Sequence, residues 1–164
     1  MKRSTHILYL LLGSNLGNKK KNLDDAIEMI NKRIGIVSKT SSLYETEPWG
    51  FTSEDYFLNM AAKVDTLLSP EEVLQQVNKI ELVCGRKRQG MGYESRTLDI
   101  DILFYDDLIL STGSLNIPHP HIAERKFVLV PLNEITKDLI HPVSGNTITE
   151  LILTCPDRKK VRKL

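Results

Sequence analysis

The chain has 164 residues, 41% hydrophobic and 26% charged, with a formal net charge of +1. That length suits one domain around one core, taken as residues 1–164, and so small a charge gives no reason to expect a nucleic acid or an anionic membrane as partner. Two cysteines, Cys84 and Cys155, are too few for a disulfide scaffold or a four-thiolate zinc site and fit a reduced, cytoplasmic protein.

Residues 7–12, Ile-Leu-Tyr-Leu-Leu-Leu, are too short to cross a membrane and read as a buried strand. Gly13-Ser14-Asn15-Leu16-Gly17-Asn18 reads as a turn. Leu23, Ala26, Ile27 and Ile30 recur at helical spacing, which predicts a helix over residues 20–33 ended by Gly35. Residues 36–44 read as one strand, 45–56 as a loop and 57–66 as a strand. Ser69-Pro70-Glu71-Glu72 opens a second helix, with Ser as cap, Pro in the first turn and carboxylates at the positive end of the dipole. It runs to about residue 83. Residues 85–95 carry Gly85, Gly90 and Gly92 and read as a polar, basic loop with glycine hinges. Residues 97–105 form a strong strand, turned by Asp106-Asp107 and answered by a return over 108–110. Ile117-Pro118-His119-Pro120-His121 is rigid and non-helical. Residues 125–135 give the last helical region, and 158–163 a solvated basic tail. The order predicts an α+β fold: a ferredoxin-like βαββαβ core with an antiparallel sheet, its helices on one side, and a C-terminal extension.

Chemistry concentrates at Asp99-Ile100-Asp101. A strand alternates faces, so the two carboxylates share one side, and Ile100, Ile102 and Phe104 are expected on the other. Paired carboxylates repel unless a cation lies between them, and oxygen ligands of this kind suit magnesium carrying substrate phosphates. The same spacing also describes the polar face of an edge strand. Arg86, Lys87, Arg88 and Arg96 bracket the glycine-bearing loop just before the pair; guanidinium forks match phosphate oxygens. His119 is fixed in direction by its flanking prolines and could donate to a phosphate, or be structural. Trp49, in Thr46-Glu47-Pro48-Trp49-Gly50, and Phe57 with Asn59 on one strand face could take a flat heterocycle, or simply be core.

These residues, in this order, resemble the 6-hydroxymethyl-7,8-dihydropterin pyrophosphokinase family of folate synthesis along nearly the whole chain. The resemblance rests on Gly13-Ser14-Asn15-Leu16-Gly17, Asp55-Tyr56-Phe57-Leu58-Asn59-Met60-Ala61, and Ile80-Glu81 with Gly85-Arg86-Lys87-Arg88. It extends to Arg96-Thr97-Leu98-Asp99-Ile100-Asp101-Ile102-Leu103, Pro118-His119 and Arg125-Lys126-Phe127. It implies transfer of the diphosphate of ATP to the pterin hydroxymethyl group, leaving AMP. By resemblance, Asp99 and Asp101 hold two magnesium ions, and Arg86 and Arg96 neutralise phosphate charge. Arg88, His119 and Arg125 contact the triphosphate region, and Glu81 the nucleotide side. Phe57 and Phe127 sandwich the pterin, Asn59 bonds its edge, and Thr46 and Trp49 close that pocket. Tyr93, Glu94 and Pro120 depart from the family's usual residues and bear on the loop and the adenine side.

Two other readings compete. A single-stranded RNA module would use the basic tail, but lacks an aromatic pair on central strands. A nucleotidyltransferase would share the metal logic and release pyrophosphate instead of AMP. A monomer is expected, because no apolar stripe is left unexplained.

Overall fold

The computed structural model describes residues 3–46, 56–84 and 97–164. Strand β1 (His6–Ser14) is buried from Leu8 onward, as a central strand covered on both faces must be. Helix α1 (Lys19–Arg33) is capped by Asn18, whose side chain accepts from the Lys21 N–H. The helix closes at Ile34, not at a glycine. Gly35 instead begins β2 (Gly35–Thr40), where a Cβ would lie 2.2 Å from the Asp65 carbonyl oxygen. Close strand approach, rather than helix termination, is what requires a glycine there.

The single strand expected over residues 36–44 is two. Strands β2 and β3 (Tyr44–Thr46) both pair antiparallel with β4 (Phe57–Thr66). A register shift falls between Val37 and Lys39. In the gap between the strands the Ser41 hydroxyl accepts from the Ala61 N–H at 2.9 Å. Glu45 and Thr46, expected in a loop, are therefore sheet residues. Helix α2 (Pro70–Val83) starts with the full capping box of Ser69 and Glu72. It leads toward β5 (Asp99–Tyr105), which pairs antiparallel with β1.

The sheet runs β5-β1-β4-β3, with β2 also on β4. Taking β2 and β3 as one interrupted strand, this is the expected ferredoxin-like core. The remainder was less legible. Residues 108–110 do not return onto β5; β6 (Leu110–Ser111) pairs with β7 (Asn116–Ile117) in a separate ribbon. Beyond α3 (Lys126–Thr136) lies a further helix, α4 (Ile148–Thr154), with its own capping box of Thr147 and Glu150. The basic tail is not simply solvated. Strand β8 (Val161–Lys163) adds to the outer edge of β3, and Arg162 pairs with Glu45 at 3.2 Å.

Two hydrophobic layers result. On one face Leu8, Leu10 and Leu12 of β1 pack with Leu23 and Ile30 of α1 and Val77 and Ile80 of α2. On the other, Tyr9, Leu11 and Ala61 pack with Val128, Leu129 and Leu132 of α3 and with Ile148 and Leu151 of α4. Helices thus cover both faces, the extension supplying the second.

Candidate active site

β5 is an edge strand, and its outer backbone groups need partners. Two come from elsewhere in the chain. The Ile100 N–H donates to Glu81 Oε2 of α2 at 3.0 Å, with Glu81 4% exposed. The His119 N–H donates to the Leu103 carbonyl at 3.0 Å. These bonds bring the end of α2 and the segment after β7 to the two sides of the acidic pair.

Asp99 lies opposite Gly13, and Asp101 opposite Leu11. Leu11 belongs to the layer under α3 and α4, so both carboxylates face that side, where they are half-buried. Ile100 and Ile102 are buried in the opposite layer, as alternation predicts. Phe104 is not. The register slips between Tyr9 and Leu10, which pair with Phe104 and Ile102 and leave Leu103 as the extra residue of a bulge. Phe104 therefore turns to the carboxylate side, where its ring meets Tyr9 edge-on at 6.3 Å.

A cavity of about 400 Å³ wraps this edge, lined by Asn78, Glu81, Asp99, Asp101, His119 and Arg125 among others. The His119 Nδ1 accepts from the His121 N–H at 3.2 Å, so the neutral ring carries its proton on Nε2. Burial, reinforced by the Arg125 charge, lowers its pKa from 6.5 to about 4. At neutral pH it is an uncharged donor. Arg125 is buried, and its guanidinium carbon lies 5.8 Å from the centre of the Phe127 ring, a cation–π distance. Asn78 and the stretch Ser114-Leu115-Asn116 also line the cavity. Sequence reasoning passed over them, because only the fold brings the β6–β7 ribbon against α2.

A second group lies in the same row of the sheet. Asp99, Gly13, Asn59 and Tyr44 are consecutive cross-strand partners. Adjacent strands are about 4.8 Å apart, which puts Asn59 roughly 10 Å from Asp99. Asn59 Nδ2 donates to Thr46 Oγ1 at 2.7 Å, and both side chains are buried. A Cβ on Gly13 would lie 2.8 Å from Asn59 Oδ1 and 3.8 Å from a Phe57 ring carbon, which places Phe57 and Asn59 side by side. Gly13, read as a turn residue, is in fact a strand residue whose missing side chain leaves room for Asn59. Ser14 and Asn15 behind it are fully buried, and Asn22 donates to Ser14 Oγ and to the Leu16 carbonyl. Phe127 is half-buried in the first turn of α3.

The structure thus brings together Asp99, Asp101, Glu81, His119 and Arg125 around one cavity, and Thr46, Phe57 and Asn59 in the adjoining part of the sheet. Trp49, Arg86, Arg88, Arg96, Tyr93 and Glu94 lie outside the described residues. Among the described residues no group of three or more His, Cys, Asp and Glu could hold a metal by itself. None of their helices is long and apolar enough to cross a membrane.

Residues 9–137 match the sequence profile of 7,8-dihydro-6-hydroxymethylpterin-pyrophosphokinase (HPPK). A 2-amino-4-hydroxy-6-hydroxymethyldihydropteridine pyrophosphokinase of Methylorubrum extorquens is 42% identical over 145 residues, 88% of this chain and 90% of that protein. A protein of the same name from Aquifex aeolicus is 38% identical over 143 residues, 87% of this chain and 88% of that one. Folic acid synthesis protein fol1 of Pneumocystis carinii is 45% identical over 141 residues, 86% of this chain. The chain spans only 19% of that protein's length and 24% of the Dictyostelium discoideum FOL1 protein's. In three dimensions it is similar to the crystal structure of Plasmodium falciparum HPPK-DHPS, with a TM-score of 0.77 and 20% identity over 92% of this chain and 43% of that one. That likeness bears on the fold, and the sequence relatives carry the rest. On the match over residues 9–137 and the identity to these relatives, the chain belongs to the 7,8-dihydro-6-hydroxymethylpterin-pyrophosphokinase family.

Proposed function

We propose that this chain transfers the diphosphate of ATP to the hydroxymethyl group of 6-hydroxymethyl-7,8-dihydropterin, giving AMP and the pterin diphosphate for folate synthesis. The observation that carries the reading is the row Asp99, Gly13, Asn59: one carboxylate of the pair at a cavity edge, with a buried amide about two strands away. The family and the names of its relatives point the same way. The pterin hydroxyl oxygen attacks the β-phosphorus of ATP. The bond from the β-phosphorus to the oxygen bridging it to the α-phosphorus breaks, AMP leaves with that oxygen, and the hydroxyl proton passes to solvent. Such transfer depends on positioning and charge stabilisation rather than on a covalent intermediate with the protein.

Two hard oxygen ligands, with no third in a ready-made group among the described residues, fit magnesium, which keeps waters and is completed by substrate phosphates. Asp99 and Asp101 would hold it, in our reading as two ions. Bound there, magnesium would neutralise charge on the transferring phosphates. The nucleotide would occupy the cavity beside Glu81, with Arg125 and the Nε2–H of His119 donating to its phosphates. A neutral imidazole does so without placing a further positive charge beside the cation. On the other side Asn59, held by Thr46, would read the pterin edge beside Phe57 and Phe127. Arg86, Arg88, Arg96 and Trp49 are assigned by resemblance, the arginines to the phosphates and Trp49 to the pterin pocket. The reading takes residues 1–164 as one domain, a cytoplasmic monomer without a nucleic-acid partner.

Incubation with ATP, magnesium and the pterin, resolving all nucleotides and pterins, tests the proposal. Equimolar AMP and pterin diphosphate, both lost with chelator, is the expected result. Release of pyrophosphate with a nucleotide-bearing product would replace it with nucleotidyl transfer.

A further inference from the structure

Glu134 sits on α3, far in sequence from the residues it holds. Its Oε2 accepts from the Ser42 N–H at 2.7 Å and from the Ser42 hydroxyl at 3.1 Å, and its Oε1 accepts from the Tyr44 hydroxyl at 2.5 Å. Ser42 lies in the gap between β2 and β3, where the ladder with β4 is interrupted. The carboxylate takes the place of a strand partner there. Charge-assisted bonds of this kind are short and stronger than neutral ones. Burial pushes the Tyr44 hydroxyl up to about 12, with Glu134 adding to the shift, so it stays a donor. Partial burial would raise the Glu134 carboxyl, but the bonds from Tyr44 and Ser42 outweigh it and hold it below its ordinary value.

The geometry gives this anchor a consequence at the site. Thr46 is two residues from Tyr44 on β3, hence on the same face of the strand. Phe127 is seven residues from Glu134 on α3, two turns along the same side of the helix and roughly 10 Å away. The far end of α3 is pinned at the level of Tyr9, whose hydroxyl donates to Thr136 Oγ1 at 3.1 Å. The helix therefore runs from there toward the row holding Asp99, Gly13 and Asn59, and Arg125 at its start shares the cavity with both aspartates. β3 itself is three residues long and, among the described residues, is paired on its outer side by β8.

We propose that Glu134 is a positioning residue for the pterin pocket: it fixes β3, with Thr46, against α3, with Phe127, and so sets the width of the slot between them. This rests on the pterin diphosphokinase reading above. Glu134 touches neither substrate nor metal; it acts through Tyr44 and Ser42. The nucleotide cavity is tied to α2 and β5 through the Glu81 bond to Ile100, and meets α3 at Arg125, so it should feel the loss of this carboxylate less than the pterin side does.

The test compares wild type with Glu134→Ala, Glu134→Gln and Tyr44→Phe. Steady-state kinetics with ATP and the pterin are paired with hydrogen exchange at residues 42–46 and 127–129. In Glu134→Ala the KM for the pterin should rise roughly tenfold, the scale of one lost charge-assisted bond, while the KM for ATP and kcat change less than about twofold. Exchange at both segments should quicken. Glu134→Gln, which keeps one acceptor, should fall between, and Tyr44→Phe should show the same selectivity should Glu134→Ala fail to fold. Equal loss toward both substrates, or faster exchange with an unchanged pterin KM, would overturn the positioning role. A wild-type protein with slow exchange at both segments but no turnover of the pterin would overturn the functional reading itself, and this inference with it.

Discussion

Between Asp99 and Asn59 stands a residue with no side chain, and its absence can be tested. A methyl group on Gly13 would meet Asn59 Oδ1 at 2.8 Å, closer than real Cβ contacts run. Asn59 cannot easily yield, being buried and bonded to Thr46. Gly13→Ala should therefore cost about 1–3 kcal/mol by overpacking, read by chemical denaturation, and should weaken pterin binding more than nucleotide binding. A variant as stable as wild type with unchanged pterin affinity would remove Asn59 from its assigned role. His119 makes a second prediction at this scale. Its pKa is lowered to about 4 in the folded protein by burial and by Arg125, against an ordinary 6.5. Between those values the unfolded chain binds the proton that the folded chain refuses, so stability is full above about pH 6.5 and falls as pH drops toward 4. In metal-free protein His119→Asn should flatten that part of the stability profile; an unchanged slope would mean that other groups set it. Asp99 and Asp101 were legible in the sequence because period two needs only neighbours. The Glu81 bond to Ile100 was not, because its partners are brought together only by packing of α2 on the sheet.

Elements were legible where local signals agreed. The capping box at Ser69 and the apolar runs of β1 and β4 placed themselves. Those that failed did so for tertiary reasons. The break between β2 and β3 is satisfied from α3 and β4, neither adjacent in sequence. The bulge that turns Phe104 over has no composition of its own. β8 looks like a charged tail because five of residues 158–163 are Lys or Arg, yet its backbone completes β3. Arg162 reaches Glu45, and the Leu164 N–H donates to the Leu43 carbonyl at 3.0 Å. Ending the chain after residue 158 should leave the β3 edge open. The ion pair is exposed and adds little; the lost backbone bonds, at about 1 kcal/mol each, should lower the melting temperature by several degrees. Circular dichroism melts check this. An unchanged melting temperature would mean that β8 contributes nothing to holding β3.

At the scale of the whole molecule, one sheet serves two cores. The α1–α2 layer is built by the βαββαβ unit, and the α3–α4 layer by the extension. The proposed site lies where the second layer begins, so its two halves belong to different parts of the chain: Asp99, Asp101 and Asn59 to the sheet, Arg125 and Phe127 to the start of α3. A ligand bridging them should tie the layers together. Magnesium alone, held in this reading by Asp99 and Asp101, should bind weakly. A non-hydrolysable ATP analogue without magnesium brings its phosphates toward Asp99 and Asp101 uncompensated. The two together should stabilise the fold. At a hundredfold excess over the dissociation constant the gain is about 2.7 kcal/mol, or roughly 5–10 °C for a chain of this size. Thermal melts with each component alone and with both provide the measurement, and Asp101→Asn should abolish the joint shift while leaving the unliganded melting temperature within a few degrees of wild type. Equal shifts for the nucleotide with and without magnesium, or a joint shift that survives in Asp101→Asn, would show that the carboxylate pair does not hold the cation.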